Sequence, residues 1–432
     1  METLTIENFL SIRRAKIELK KINIFIGPQA KGKSVISKLI SFCKDLPSGI
    51  FDAVMEEKTK REFDKDIKSK FESMFPSYAW EKNDFEIIYA NDHYTIKIIN
   101  KKINSKFRLC INYSESIKKA LIAGRKSMQK TLVEDDDVRA SARMRMSATR
   151  ELRELIALTV RPGANITRME QVLYIPAGRS FFANLQKTVF SFISSSIPID
   201  HFLKEFGALY ERTRDTSFLN FISPHRPKSI QKIVNDLICG THVSEKGQDW
   251  IIGDSGKVNV SNSSSGQQEV LPMAMVLSTW PYAVSSIYSR SFVIEEPEAH
   301  LFPIAQGQVT SLIAAAYNAR GRDGTFTVTT HSPYILTAMN NLIQAGNVLT
   351  MLDSAADRAR LYEIVPEEQI VSFEDVTAYL VDKGTVRELL DRENSLINAD
   401  AIDVVSEHFS TRFEKLVDLE MEFDQDEGII HD

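Results

Sequence analysis

Cysteine is scarce in this chain: Cys43, Cys110 and Cys239 are the only three in 432 residues, none spaced as CxxC and none beside a histidine pair. A disulfide framework and a cysteine-built zinc site are excluded, and the three thiols read as small core hydrophobes. Long apolar runs are missing too. No stretch approaches the roughly 18 consecutive apolar residues of a membrane-spanning helix. Residues 1–12 lack the basic-then-apolar order of a secretory leader, so a cytoplasmic protein without membrane contact is expected. Positive charge is not in excess: 53 Lys and Arg against 58 Asp and Glu leave a formal net charge of −5. The surface as a whole does not advertise nucleic-acid binding, although local patches stay open. Internal repeats, low-complexity tracts and sustained heptads are also absent, which removes the sequence basis for a long coiled coil.

What is present is a globular composition, 43% hydrophobic and 26% charged. The length suits two or three domains, or one large domain with an insertion. Residues 3–26 read as three short strands, and the pattern from Lys33 then changes to apolar residues three and four apart, an amphipathic helix. Residues 84–113 read as an antiparallel meander. A helical stretch from about Glu115 to Val160 follows, broken near the acidic run Glu134–Asp137 and ended by Pro162 and Gly163. VLYIPA, residues 172–177, is a compact strand; residues 180–240 are mostly helical, and WIIGDSGKVNV is a hairpin. Strand, helix, strand and helix alternate from Ser291 to Leu342, implying a parallel sheet. The tail from Ile364, including VTAYLV and VRELLD, reads as helical. These boundaries divide the chain into 1–113, 114–245, 246–363 and 364–432.

Four segments carry chemistry. Gly27-Pro28-Gln29-Ala30-Lys31-Gly32-Lys33-Ser34 is a complete G-x-x-x-x-G-K-[ST] between a strand and a helix. Backbone N–H groups of such a loop wrap nucleotide phosphates, Lys33 reaches the β and γ phosphates, and the Ser34 hydroxyl binds Mg²⁺. Phe292–Pro297 is an apolar strand delivering Glu295 and Glu296 at its C-terminal end, where open α/β sheets bind ligands. Glu295 is placed to hold Mg²⁺ through water and Glu296 to polarise an attacking water as general base. A strand from Thr325 to Thr330 ends at His331, which can sense a γ phosphate; by itself it reads first as an ordinary satisfied histidine. Ser263 to Gln268 opens a helical run just upstream of the Glu295 strand. By composition alone it is a serine-rich linker.

In this order the four segments resemble the ABC-type ATPases. The resemblance makes Ser264, Ser265, Gly266 and Gln267 the signature that reaches the nucleotide of a neighbouring copy. EEPEAHLFP with THSP downstream is similar to the soluble OLD-like and SMC-like branch. It implies an α/β fold: an ABC-type P-loop ATPase with a mixed central sheet, an antiparallel β subdomain, a helical insertion and a helical C-terminal region. ATP and Mg²⁺ are the implied cofactors, and a head-to-tail dimer or higher homo-oligomer the implied assembly. The family's Q-loop glutamine is not identifiable; Gln171, Arg179 and Ser180 are candidates.

OLD-like nucleases carry a Toprim unit after the ATPase. In this tail Asp400 and Asp403 are a candidate acidic pair, but their spacing suits one helix face, and no nuclease site is expected. The chain therefore resembles the AriA family, the separate ATPase subunits of PARIS anti-phage systems. In that family the ATPase holds a Toprim-type nuclease inactive and releases it when a phage trigger protein binds. The alternative is a repair or recombination ATPase that clamps DNA directly through Arg139, Arg143, Arg145, Arg150 and Arg153.

Overall fold

The computed structural model describes residues 1–134, 142–163, 168–185, 200–215, 226–245, 247–254, 256–283, 288–319, 324–398 and 411–417. In chain order the first part comprises β1 (Glu2–Phe9), β2 (Ile12–Leu19), β3 (Ile22–Ile26), α1 (Lys33–Asp45), α2 (Gly49–Met55) and α3 (Lys60–Met74). It continues with β4 (Phe85–Ala90), β5 (Thr95–Ile103), β6 (Lys106–Tyr113), α4 (Glu115–Glu134) and α5 (Ala142–Val160). Then come β7 (Met169–Ile175), α6 (Ser180–Leu185), α7 (His201–Arg214), α8 (Lys228–Leu237), β8 (Thr241–Glu245), β9 (Gln248–Gly253) and β10 (Gly256–Asn259). The last part holds α9 (Ser265–Thr279), β11 (Tyr288–Glu295), α10 (Pro303–Asn318), β12 (Thr325–Thr330), α11 (Pro333–Leu349) and α12 (Ala355–Ile364). It ends with β13 (Val376–Asp382), β14 (Thr385–Glu388), β15 (Leu390–Asp391) and β16 (Leu396–Ile397).

Among the described residues eleven strands form one mixed sheet in the order β6-β5-β4-β1-β2-β14-β13-β3-β12-β11-β7. The β7, β11, β12, β3 and β13 group is parallel, and β1, β2, β4, β5 and β6 pair antiparallel. All five residues of β3 are buried. Ile22, Ile24 and Ile26 enter one apolar core and Phe25 the other, the pattern of a central strand covered on both faces. Because parallel strands share a direction, the ends of β3, β7, β11, β12 and β13 meet at one edge of the sheet. That edge carries the site.

The two strands expected from 248–260 form β9 and β10, and β8 joins them as a third. Strands from either side of residue 245 thus share one sheet, as do β3 and β13 from either side of residue 363. The tail differs from expectation. VTAYLV is β13, inserted between β3 and β14, and VRELLD supplies β14 and β15, so this part of the C-terminal region is strand and not helix. Residues 411–417 are helical, while Asp400 and Asp403 lie outside the described residues. Of the cysteines only Cys43 is the expected core hydrophobe; Cys239 is exposed, with φ 50°. No helix among the described residues is long and apolar enough to cross a membrane.

Candidate nucleotide site

The phosphate loop grows out of the buried strand β3, and its backbone is dictated by crowding. A Cβ on Gly27 would stand 2.2 Å from the Val381 carbonyl oxygen in β13. A Cβ on Gly32 would stand 2.4 Å from Ile12 Cδ1, and its φ of 106° is costly for any other residue. Ala30 also takes a left-handed conformation, φ 59°. Pro28, Gln29, Ala30 and Ser34 are exposed, Lys31 is half-buried, and α1 begins at Lys33 with no side chain capping its first N–H groups. Those N–H groups and the helix dipole are what a phosphate needs.

Lys33 is buried, and its three ammonium protons are all engaged. Nζ donates to the carbonyls of Gly27 at 2.7 Å and Pro28 at 2.8 Å, and lies 3.2 Å from His331 Nδ1. An ammonium cannot accept, so Nδ1 must be the acceptor and the imidazole proton sits on Nε2. From there it donates to Glu296 Oε1 at 3.0 Å. The two motif glutamates are thereby distinguished. Glu296 is half-exposed and joined through His331 to Lys33, while burial of Lys33 lowers its pKa to about 8 against the opposing pull of Glu296 and Glu298.

Glu295 is buried, and its Oε1 has no hydrogen-bond partner; Thr329 Oγ1, at the register position opposite, is likewise buried without one. A carboxylate oxygen left so is costly unless it faces a cation or its water. Together with the exposed Ser34 hydroxyl it fits Mg²⁺, which takes one or two protein oxygens and fills its octahedron with water and substrate phosphates. Among the described residues no cluster of three or more His, Cys, Asp or Glu forms a self-sufficient metal cage, as that mode of binding requires none.

Glu298, which the sequence reading held only as part of the EEPEAHLFP stretch and gave no role, supports the histidine. Its Oε1 accepts from Thr330 Oγ1 and from the His331 backbone N–H, both at 2.7 Å, and so fixes the end of β12 that presents the imidazole. A third acidic side chain three residues after Glu295 was the available signal. Glu296 itself adopts φ 45°, with its N–H donating to the Thr329 carbonyl at 2.8 Å.

Ser264 begins α9 with a capping box. Its Oγ accepts from the Gln267 N–H at 3.3 Å, and the Gln267 side chain accepts from the Ser264 N–H at 3.2 Å. Ser264 and Ser265 are exposed, and Gly266 packs so closely under the His300 carbonyl that a Cβ would lie 2.8 Å from it. The structure brings residues 27–34, Glu295, Glu296 and His331 into one cluster. Residues 264–267 sit elsewhere, beside the 298–302 turn and Ile238, to whose carbonyl Gln267 donates. Of the three Q-loop candidates, Gln171 lies in the first half of β7, away from the site edge, whereas Arg179 and Ser180 lie at that edge.

Arg150 pairs with Glu154 at 2.9 Å, and the Arg153 guanidinium lies 4.0 Å from the Phe51 ring centroid. The acidic run at 135–137, Arg139, and the side chains of Arg143 and Arg145 lie outside the described residues.

A comparison with curated proteins finds no match. Among solved structures, similarity extends to an SMC head bound to the C-winged helix domain of ScpA, at TM-score 0.41 and 12% identity over 91% of this chain and 98% of that one. It extends also to the SMC head domain from Thermotoga maritima, at TM-score 0.37 and 11% identity over 90% and 98%. The recombination mediator protein RecF matches at TM-score 0.31 and 11% identity over 90% and 97%. Residues 22–337, well over half of the chain, match the family described as "AAA domain, putative AbiEii toxin, Type IV TA system". The chain belongs to this family, and with its phosphate loop, paired glutamates and histidine at one sheet edge it is an ATPase.

Proposed function

We propose that two copies of this chain close head to tail on two ATP molecules, and that this nucleotide-dependent assembly acts as a switch for a separate effector. The observation that carries the reading is that the two candidate phosphate loops have different neighbours within one copy. The neighbours of residues 27–34 are Ser11, Ile12, Val381 and His331, whereas those of residues 264–267 are Ile238, His300 and Leu301. Ser264 and Ser265 are exposed at the capped start of α9 and so open to a γ phosphate held by another copy.

In this arrangement Gly27–Ser34 cradles the phosphates, and Lys33 exchanges a carbonyl contact for a phosphate oxygen. Ser34 and Glu295 would hold Mg²⁺, which would supply neutralisation of the charge that develops on the phosphates. Glu296 takes the proton of the attacking water, with His331 orienting it. Ser264, Ser265, Gly266 and Gln267 complete the clamp from the second copy, so that ATP works as an assembly ligand and its hydrolysis loosens the assembly.

The effector suggested by the sequence resemblance is a Toprim-type nuclease held by an OLD-like, PARIS-type ATPase and freed by a phage trigger protein. The test is the mass of the Glu296→Gln protein by light scattering, with and without ATP and Mg²⁺. The expected result is a nucleotide-dependent rise to at least two copies. A single copy that binds ATP tightly and never assembles would sink the reading. Copurification of a nuclease encoded alongside tests the effector half.

A further inference from the structure

Arg179 is fully buried, yet nothing in the scheme above uses it. Its guanidinium is spent on backbone. Nη1 donates to the carbonyls of Pro176 at 2.9 Å and Glu295 at 2.7 Å, and Nη2 donates to the carbonyl of Glu296 at 3.0 Å. Its Nε donates to the Glu269 carbonyl at 3.1 Å. One planar group therefore fastens three segments: the end of β7, the end of β11 where both motif glutamates sit, and the first turns of α9.

The charge balance comes from Glu269, itself buried. Its Oε2 accepts from the Arg179 N–H at 2.8 Å and its Oε1 from the Ser180 N–H at 3.0 Å. Glu269 lies one helical turn beyond the Ser264 cap. A buried ion pair with every group engaged is stiff, because moving either element strands a charge away from water. The Glu296 backbone, held in the left-handed region at φ 45°, is a conformation that persists only when its surroundings impose it.

We infer that Arg179 is a positioning residue for Glu296, and that Glu269 makes this positioning answer to the signature helix of the same copy. The inference rests on the two-copy reading and deepens it. When the start of α9 engages a nucleotide held by the second copy, the Glu269–Arg179 pair carries the displacement to the Glu296 carbonyl of its own copy. Each general base is thus set by a contact made at the other nucleotide, and the two sites hydrolyse in concert.

The test uses the full chain and two conservative variants. Glu269→Gln keeps the shape and removes the charge; Arg179→Lys keeps the charge and removes the fork. The inference expects ATP affinity, read with a fluorescent nucleotide, to stay near that of the unaltered protein. It expects kcat to fall about a hundredfold with KM little changed, since a small misplacement of a reacting group is that costly. It also expects the Hill coefficient for ATP to drop from about two towards one. Unchanged kcat and Hill coefficient in both variants would overturn it, as would a loss confined to KM.

A wild-type readout stands apart from how the variants fold. On binding a non-hydrolysable ATP analogue, the Arg179, Ser180 and Glu296 amides should gain hydrogen-exchange protection together. Independent responses would overturn the coupling. Light scattering on the Glu296→Gln protein separates the two failures: no assembly removes the two-copy reading itself, whereas normal assembly with uncoupled sites removes only this inference.

Discussion

At the scale of single residues, the site is a set of exchanges. Lys33 is saturated by two loop carbonyls and His331, so a phosphate oxygen must displace one of them, and the released His331 Nδ1 or carbonyl then needs a new donor. Burial lowers the Lys33 pKa to about 8, so above that pH the neutral amine predominates. Phosphate charge raises the pKa again, and binding must then take up a proton. Calorimetry of ATP binding at pH 9, in two buffers of different ionisation enthalpy, should show uptake of up to about one proton per site. Affinity should fall as pH rises through 8. Equal apparent heats in the two buffers would count against this assignment, and Lys33→Ala should weaken binding and turnover while abolishing the pH dependence. Glu296→Gln is the complementary change: it keeps the side chain's shape but removes the base. ATP binding should persist and turnover, followed as phosphate release, should fall by about 10²–10⁴-fold. Undiminished turnover would remove Glu296 from the role.

At the scale of elements, what the sequence made legible is what local chemistry determines. The strand–loop–helix around residues 22–45 announces itself because its glycines are forced by crowding and its helix by apolar spacing. Lys33 stands at the start of a helix, and Glu296 and His331 just past strand ends, as the sequence placed them, and the structure adds the hydrogen bonds that join them. VTAYLV misled because it is a central strand: buried on both faces, it shows no alternation, and a short apolar run has the same appearance in a helix. Arg179 and Glu298 were opaque for a different reason, since their roles rest on contacts with residues more than 30 positions away. The start of α9 shows how an element can serve two ends. Ser264→Ala removes the cap, which costs about 1 kcal/mol of helix stability, so lost function there would be ambiguous. Ser264→Asp preserves a capping oxygen and favours the helix dipole, but turns a carboxylate outward. Its thermal midpoint should stay close to that of the unaltered chain, while ATP-driven assembly by light scattering is lost. Assembly at normal nucleotide concentrations in this variant would show that the helix start meets no phosphate.

At the scale of the whole molecule, the family match ends at residue 337 but the folded unit does not. β13 arrives from residues 376–382 and lies directly beside β3, in register from Val376 opposite Ile22 to Leu380 opposite Ile26. Tyr379 stacks on Phe25 with centroids 5.7 Å apart, and its hydroxyl exchanges hydrogen bonds with the Glu18 backbone. The Val381 carbonyl is the wall that makes Gly27 obligatory. Val376, Ala378, Tyr379 and Val381 are all buried, and burying each larger side chain contributes about 1.5–3 kcal/mol. Their sum is comparable with the roughly 5–15 kcal/mol by which a domain is stable. A chain ending at Ile364 would also leave β3 with an open edge in the middle of the sheet, a site for aggregation. That truncation should therefore lose its cooperative thermal transition by circular dichroism and fail to bind ATP, although it retains every residue of the phosphate loop, both motif glutamates and His331. A chain ending at Asn398 keeps all eleven strands of the described sheet and should melt and bind much as the full chain does. If the shorter chain melted cooperatively at the same temperature, β13 would be an ornament on the sheet, and the close approach to Gly27 would have no bearing on the phosphate loop.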